Sequence, residues 1–408
     1  MTIDTPPRLA PHRTVWKWLY GVLAIAILAF VLVIIYAPPR VDMATFTWTK
    51  AAQTHDWAIQ PPAQQGFQPE PLIALHNTVT HRKSKRVQSL LVARNNALVF
   101  EQYYPVRSAH DGTPMPKPFP PSADTPHQMR SITKTITATL LGTLLYQGKI
   151  AHTDTPLLDF YPHTEMADRE QKQALTLNHA LNFNSGLNWQ EWYVANSDAM
   201  NMWLSDDPYA YVHSKTMAHP PGEPFVYQGA MSVLLGGAIE QVTQQSLRQY
   251  AQEALFSPLG ITQFDWFTHE VTGDYLGSSG LYLRSRDLAK LGQLYLNRGV
   301  WQGQRIFSEE WAAQSLQPKG KFWPKKTIAY GHNWWFPQIT QANGERIQIA
   351  AMRGAGGQEM MILPDYQLIM VMTSGAYIGQ DEDYPFELLV DYILPAIGVE
   401  NAKYQPRI

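Results

Sequence analysis

The chain has 408 residues, 45% of them hydrophobic and 12% aromatic, enough for a sizeable core and too apolar for a disordered polymer. Its formal charge is −2 and its densest basic cluster, His81 to Arg86, is short, so no nucleic-acid-binding surface is expected. The absence of cysteine excludes disulfides, thiol nucleophiles, thiolate metal sites and a lipidated N-terminal cysteine. The 13 histidines form no His-Glu-x-x-His or comparable pairing, so neither a metal nor another cofactor is expected.

Taken in chain order, residues 1–17 read as a cytoplasmic N-terminus and residues 18–37 as a membrane anchor. Trp18 to Ala37 is an uncharged apolar run, and a helix rising about 1.5 Å per residue needs about 20 residues to span the ~30 Å hydrocarbon layer. Arg8, Arg13 and Lys17 precede it against Asp4 alone, which keeps the N-terminus inside and sends the rest across. A cleaved signal peptide fits less well: the apolar run is long, and the candidate site Ile35-Tyr36-Ala37 has a bulky residue where a small one is wanted and is followed by Pro38. Residues 38–70, rich in Pro, Gln and Ala without sustained periodicity, read as a linker.

Residues 71–400 read as one α/β (α+β) domain. Ser89 to Tyr104 holds two β-rich runs about Asn95-Asn96, a hairpin signal. A proline-laden loop, Pro105 to Pro126, leads to "HQMRSITKTITATLLGTLLYQGKI", His127 to Ile150, where Ile136, Leu140, Leu141, Leu144 and Leu145 recur at helical spacing. The middle, Leu175 to Arg298, reads mainly helical, as a second subdomain. Arg346 to Gly375 holds three strand-like runs parted by a glycine cluster and by Pro364-Asp365, and a last helix is expected over Tyr384 to Ile397. Strands at both ends with helices between them predict one antiparallel sheet closed by the N- and C-terminal strands and flanked by helices.

Ser131 and Lys134 stand three apart at the mouth of the helix, so they share its first turn on one face. An N-cap serine followed by a surface lysine would give the same spacing. The chemical reading is a nucleophile with its base. A serine hydroxyl is weak until deprotonated, and a lysine serves when burial brings its pKa to about 7–8. A helix N-terminus also favours the alkoxide. No Gly-x-Ser-x-Gly elbow occurs to offer a rival nucleophile.

Tyr227, between a Pro-Gly loop and the helical run "MSVLLGGAIEQVT", adds a phenol in a particular setting. Together with "LTLNHALNFNSGLNW", "YLGSSGLYLRSRDLAKLGQLYLNRGVWQGQRI", "YGHNWWF" and "RGAGGQEMMILPDYQLIMVM", in that order, the chain resembles the serine hydrolases of the class C β-lactamase and penicillin-binding-protein superfamily. Within it, the chain is most similar to the esterase and 6-aminohexanoate-dimer-hydrolase-like branch. The resemblance implies a β-lactamase/transpeptidase-like fold, with Ser131 as nucleophile and Lys134 and Tyr227 as a proton-transfer pair. It also implies an oxyanion hole from the backbone amides of Ser131 and Gln358. Two departures stand out. Gly229 occupies the position of the asparagine in the Tyr-x-Asn motif, and Ala355-Gly356-Gly357 replaces Lys-Thr-Gly. Efficient β-lactam hydrolysis and D-alanyl peptidase activity are therefore in doubt.

Gly229, Gly356 and Gly357 are candidate substrate-binding positions. Trp189 and Trp192, with Tyr193, either line an apolar pocket or pack between helices. Arg353 either binds a substrate carboxylate or pairs with an internal acid. Ser197-Asp198-Ala199 reads as loop. The function expected is a serine hydrolase cleaving esters or small amides, held in a bacterial inner membrane and facing the periplasm or cell exterior. The alternatives are a weak or inactive penicillin-binding-like module that binds peptidoglycan or an envelope partner, or a β-lactamase or D-alanyl peptidase.

Overall fold

Two extended runs, Val87–Arg94 and Ala97–Tyr103, turn back on each other through Asn95 and Asn96, both left-handed with φ of 50° and 62°. Two such residues in succession give the turn whose twist matches antiparallel strands, and asparagine tolerates that conformation. The hairpin therefore forms where its sequence signal lies.

The computed structural model describes residues 57–81, 86–108, 114–191, 197–319, 328–376 and 382–405. The hairpin belongs to an eight-stranded sheet built from Ala58–Ile59 (β1), Val87–Arg94 (β2), Ala97–Tyr103 (β3), Ala329–Gly331 (β4), Trp334–Phe336 (β5), Ala350–Gly354 (β6), Gln358–Leu363 (β7) and Leu368–Ser374 (β8). Their order is β1-β3-β2-β8-β7-β6-β5-β4. N-terminal and C-terminal strands meet at its centre, where β2 and β8 run antiparallel with Arg94 opposite Leu368 and Leu91 opposite Val371. The sheet is mixed rather than wholly antiparallel, because β1 pairs in parallel with β3. That strand lies in the stretch expected as linker. From Trp57 onward this stretch is folded, with Trp57 and Phe67 buried and Arg94 donating to the Gln65 carbonyl at 3.1 Å. Residues 18–37 lie outside the described residues, among which no helix is long and apolar enough to cross a membrane.

Side chains alternate across each strand, which gives the sheet two apolar faces. Leu90, Val92, Met361 and Met370 face a layer made by α1 (Pro69–His81) and the C-terminal helical turns Tyr384–Leu388, Leu389–Ile393 and Leu394–Ala396. Leu91, Ala93, Met360, Ile362 and Val371 face the main core, which holds α2 (Ile132–Tyr146), α3 (Gly229–Thr243) and α4 (Ser285–Leu296).

Every residue of α2 from Ile132 to Leu144 is buried, so the helix runs through the core instead of along its edge. Four of its five threonines make that burial tolerable, since a buried hydroxyl needs a partner and each of the four has one. Thr137 donates to the Gly277 carbonyl at 2.9 Å, while Thr139 and Thr143 pair with the phenols of Tyr295 and Tyr250 at 2.9 and 2.7 Å. Thr135 donates to the Asn333 carbonyl at 2.7 Å. The Asn333 amide in turn donates to Leu181 O at 3.0 Å and accepts from Ser232 at 3.2 Å, so the β4–β5 turn clamps α2 to α3.

A three-stranded antiparallel sheet, Pro126–Gln128 and Phe264–Trp266 on either side of Leu281–Arg284, delivers the chain to α2. Met129 N continues this pairing by donating to Leu281 O at 2.8 Å. The segment before Ser131 is thereby tied on one side to regular structure.

Candidate active site

Arg130 turns the chain into α2 with a left-handed φ of 51°, and Ser131 follows at φ −69°, ψ −9°, already helical. A serine that caps a helix is normally extended and bonds a backbone N–H of the first turn. Ser131 makes no such bond. Its Oγ instead accepts from Lys134 Nζ at 3.1 Å.

Lys134 is buried, 4% exposed. Its amine also donates to Ser278 O at 3.0 Å and lies 5.4 Å from the centre of the Tyr227 ring. Burial pulls its pKa below the usual lysine range, and the nearby Glu191 carboxylate opposes that pull. A lowered pKa lets an appreciable fraction of the amine be neutral, as a base must be.

Tyr227 lies two residues before α3 and is buried. Its ring stacks on Trp335 at 5.3 Å and meets Phe183 edge-on at 5.3 Å and Tyr330 at 6.1 Å. An aromatic cage of this kind fixes ring orientation and leaves the hydroxyl as the polar handle. The structure thus gathers Ser131 and Lys134 from the first turn of α2 and Tyr227 from the segment before α3.

Gly229 opens α3, and its N–H donates to Glu191 Oε2 at 2.7 Å. Trp189 is buried against Tyr211, and its indole N–H donates to the same carboxylate oxygen at 2.7 Å. Glu191 Oε1 stands 3.9 Å from Lys134 Nζ. No sequence reading singled out this acid. Its only signal was the glycine at 229, which leaves room for another side chain. Trp192 and Tyr193 lie outside the described residues.

Gly356 and Gly357 form the β6–β7 turn with φ of 87° and 84°, a conformation that suits glycine. Gln358 begins β7, and its side chain is engaged with β8: its amide N–H donates to Ser374 O and its oxygen accepts from Ser374 N at 3.3 Å. Only its main chain is left for another role. Arg353 pairs with Glu359 at 3.0 Å, donates to Glu382 O at 2.7 Å and lies 4.8 Å over Phe386. Of the two readings for Arg353, the structure contains the internal pair. Strand alternation explains this, since Arg353 shares the face of Ala351, which packs toward the C-terminal helical turns. Ser197 is not simply loop: its hydroxyl accepts from Met200 N and caps the helix Asp198–Leu204.

The beta-lactamase family model matches residues 77–391. The chain is 22% identical to the 6-aminohexanoate-dimer hydrolase of Paenarthrobacter ureafaciens over 268 residues, covering 62% of this chain and 66% of that protein. It is 26% identical to penicillin-binding protein 4 of Amycolatopsis lactamdurans over 247 residues, covering 52% of this chain and 63% of that protein. Across three curated relatives the chain spans between 48% and 66% of their length. Among solved structures, a family VIII carboxylesterase shares the fold with a TM-score of 0.61 at 16% identity, over 82% of this chain and 98% of that one.

Proposed function

This chain belongs to the beta-lactamase family, and from that premise we propose that it is a serine hydrolase cleaving ester or small amide bonds through an acyl-enzyme on Ser131. The observation that carries the reading is the 3.1 Å bond from the buried Lys134 amine to Ser131 Oγ. In the proposed reaction Ser131 Oγ attacks the substrate carbonyl carbon while its proton passes to neutral Lys134. The oxyanion is held by the amides of Ser131 and Gln358, each donor worth on the order of 10²–10³ in rate. Tyr227 relays a proton to the leaving alcohol or amine as the C–O or C–N bond breaks. Water, deprotonated by the same pair, then releases the acid and restores Ser131.

Gly229 and Ala355 set the substrate class, because neither supplies the amide or the cation that would hold a β-lactam's amide and carboxylate. Two of the similar proteins, the 6-aminohexanoate-dimer hydrolase and the family VIII carboxylesterase, support the same choice by name. The uncharged run Trp18 to Ala37 supports anchoring in an inner membrane with the domain facing the periplasm. Release of the whole protein by carbonate washing would overturn the anchor.

The test of the chemistry is fluorophosphonate labelling and turnover of a p-nitrophenyl short-chain ester. Ser131→Ala is expected to abolish both, and Lys134→Ala and Tyr227→Phe each to lose at least ~10² in rate. Retained turnover in folded Ser131→Ala protein would place the nucleophile elsewhere.

A further inference from the structure

Glu191 reaches the site through the motif position held by Gly229. Two donors fix one of its oxygens, the Gly229 N–H and the Trp189 indole N–H, each at 2.7 Å. The other oxygen faces Lys134 Nζ at 3.9 Å, with the two side chains 11% and 5% exposed. A β-carbon on residue 229 would stand 3.2 Å from Oε1 and 3.4 Å from Oε2, so the glycine lets the carboxylate sit close without being pressed aside. Among the described residues Glu191 is the one acid paired with Lys134.

We infer that Glu191 is a positioning residue, the counter-ion that orients the Lys134 amine onto Ser131 and stabilises the ammonium formed when Ser131 gives up its proton. The assignment rests on the proposed Ser131–Lys134 chemistry. Its logic is that of a carboxylate behind a catalytic base: the base gains a proton in the transition state, and a fixed anion nearby lowers the energy of that state. A low-dielectric site strengthens the effect, and a buried ammonium without a counter-charge would be costly.

The groups facing this pair are few. Ser131 and Lys134 come from α2, Tyr227 precedes α3, and Ser278 offers a carbonyl. Tyr330 comes from β4, and burial, Tyr227 and Glu191 together hold its phenol well above the usual range. Asp198 and Lys215, behind Trp189 and Tyr211, are paired with each other. Glu191 is thus the anion that bears on Lys134, and it holds the amine's pKa up against burial. Removing the anion lowers that pKa, so the acid limb of the pH profile, where the base is lost by protonation, must move to lower pH.

The full chain carrying Glu191→Gln is expected to show the acid limb of kcat/KM for p-nitrophenyl acetate about one pH unit lower, with kcat reduced at least about tenfold. Glu191→Asp, which keeps the charge, is expected to restore the limb. An unmoved limb in folded Glu191→Gln protein would overturn the assignment whatever the rate, because a merely structural residue changes amplitude and not position. If Glu191→Gln fails to fold, Trp189→Phe, which removes one of the two anchoring bonds, must move the limb in the same direction, and failure to do so also overturns it. Wild-type protein that labels at Ser131 while the limb stays put refutes the role of Glu191 alone. Wild-type protein that does not label refutes the hydrolase reading and this assignment with it.

Discussion

Gly354 packs so closely on the carbonyl of Met129 that a β-carbon at 354 would stand 2.3 Å from that oxygen. Met129 is two residues before Ser131, and Gly354 ends β6 at the edge of the Ala355-Gly356-Gly357 turn. The serine loop and the turn that leads to Gln358 therefore touch main chain to main chain. Gly354→Ala must part them, since a backbone atom cannot swing aside as a side chain can. It is expected to cost about 1–3 kcal/mol, as overpacking does, and to lower kcat at least about tenfold, because small misplacements of reacting groups are costly. Thermal melting together with ester turnover checks this. A stable variant with unchanged kcat would show that the contact does not position the serine.

Substrate choice is the next expectation. Losing one charged hydrogen bond costs about 1.5–3 kcal/mol, and each 1.36 kcal/mol is a factor of about ten in rate. With Gly229 and Ala355 in place of an amide and a cation, kcat/KM for a neutral short-chain ester is expected to exceed that for nitrocefin by at least ~10². The Glu191 carboxylate adds repulsion toward an anionic substrate. Arg353 cannot easily compensate while paired with Glu359. Both substrates measured on one preparation decide the matter, and comparable nitrocefin turnover would restore the β-lactamase alternative.

Acid should unfold the protein through two buried histidines. Burial, with Lys172 nearby, lowers the His213 pKa from 6.5 to about 4, and burial, with Lys319 nearby, lowers that of His332 to about 3. Each binds a proton more readily when unfolded, so each favours the folded state fully above pH 6.5 and progressively less below it. For His213 the loss between pH 6.5 and 4 is about 3 kcal/mol. The melting temperature is therefore expected to fall steadily over that window and less steeply in His213→Gln protein. A flat melting curve from pH 6.5 to 4 would contradict it.

Much of this was legible in the sequence because the signals were local. The Asn95-Asn96 turn and the three strands after Arg346 follow from alternation and turn chemistry, while the helix expected over Tyr384 to Ile397 is present as three consecutive helical segments, the middle one wound more widely than an α-helix. Ser131 and Lys134 meet for a similar reason, a spacing of one helical turn. Glu191 was hidden because two of its partners, Lys134 and Gly229, are far from it along the chain, and the Gly229 N–H has no side-chain signature. Arg353 was ambiguous because its carboxylate partner lies across a ladder, opposite it in β7. The folded stretch after Trp57 was missed because β1 has two residues and no pattern of its own, and it acquires its structure from β3.

The central ladder has a consequence for how the chain comes into being. A polypeptide synthesised from its N-terminus displays β2 and the whole of α2 long before β8 exists, yet β2 finds its central partner only in β8. Closing so long a loop is slow, and until it closes one edge of β2 is an open template for wrong partners. A nascent chain halted before Leu368 already carries Ser131, Lys134, Glu191 and Tyr227, but not the strand that joins the two halves of the sheet behind them. The framework behind these four residues is therefore among the last parts of the fold to be completed.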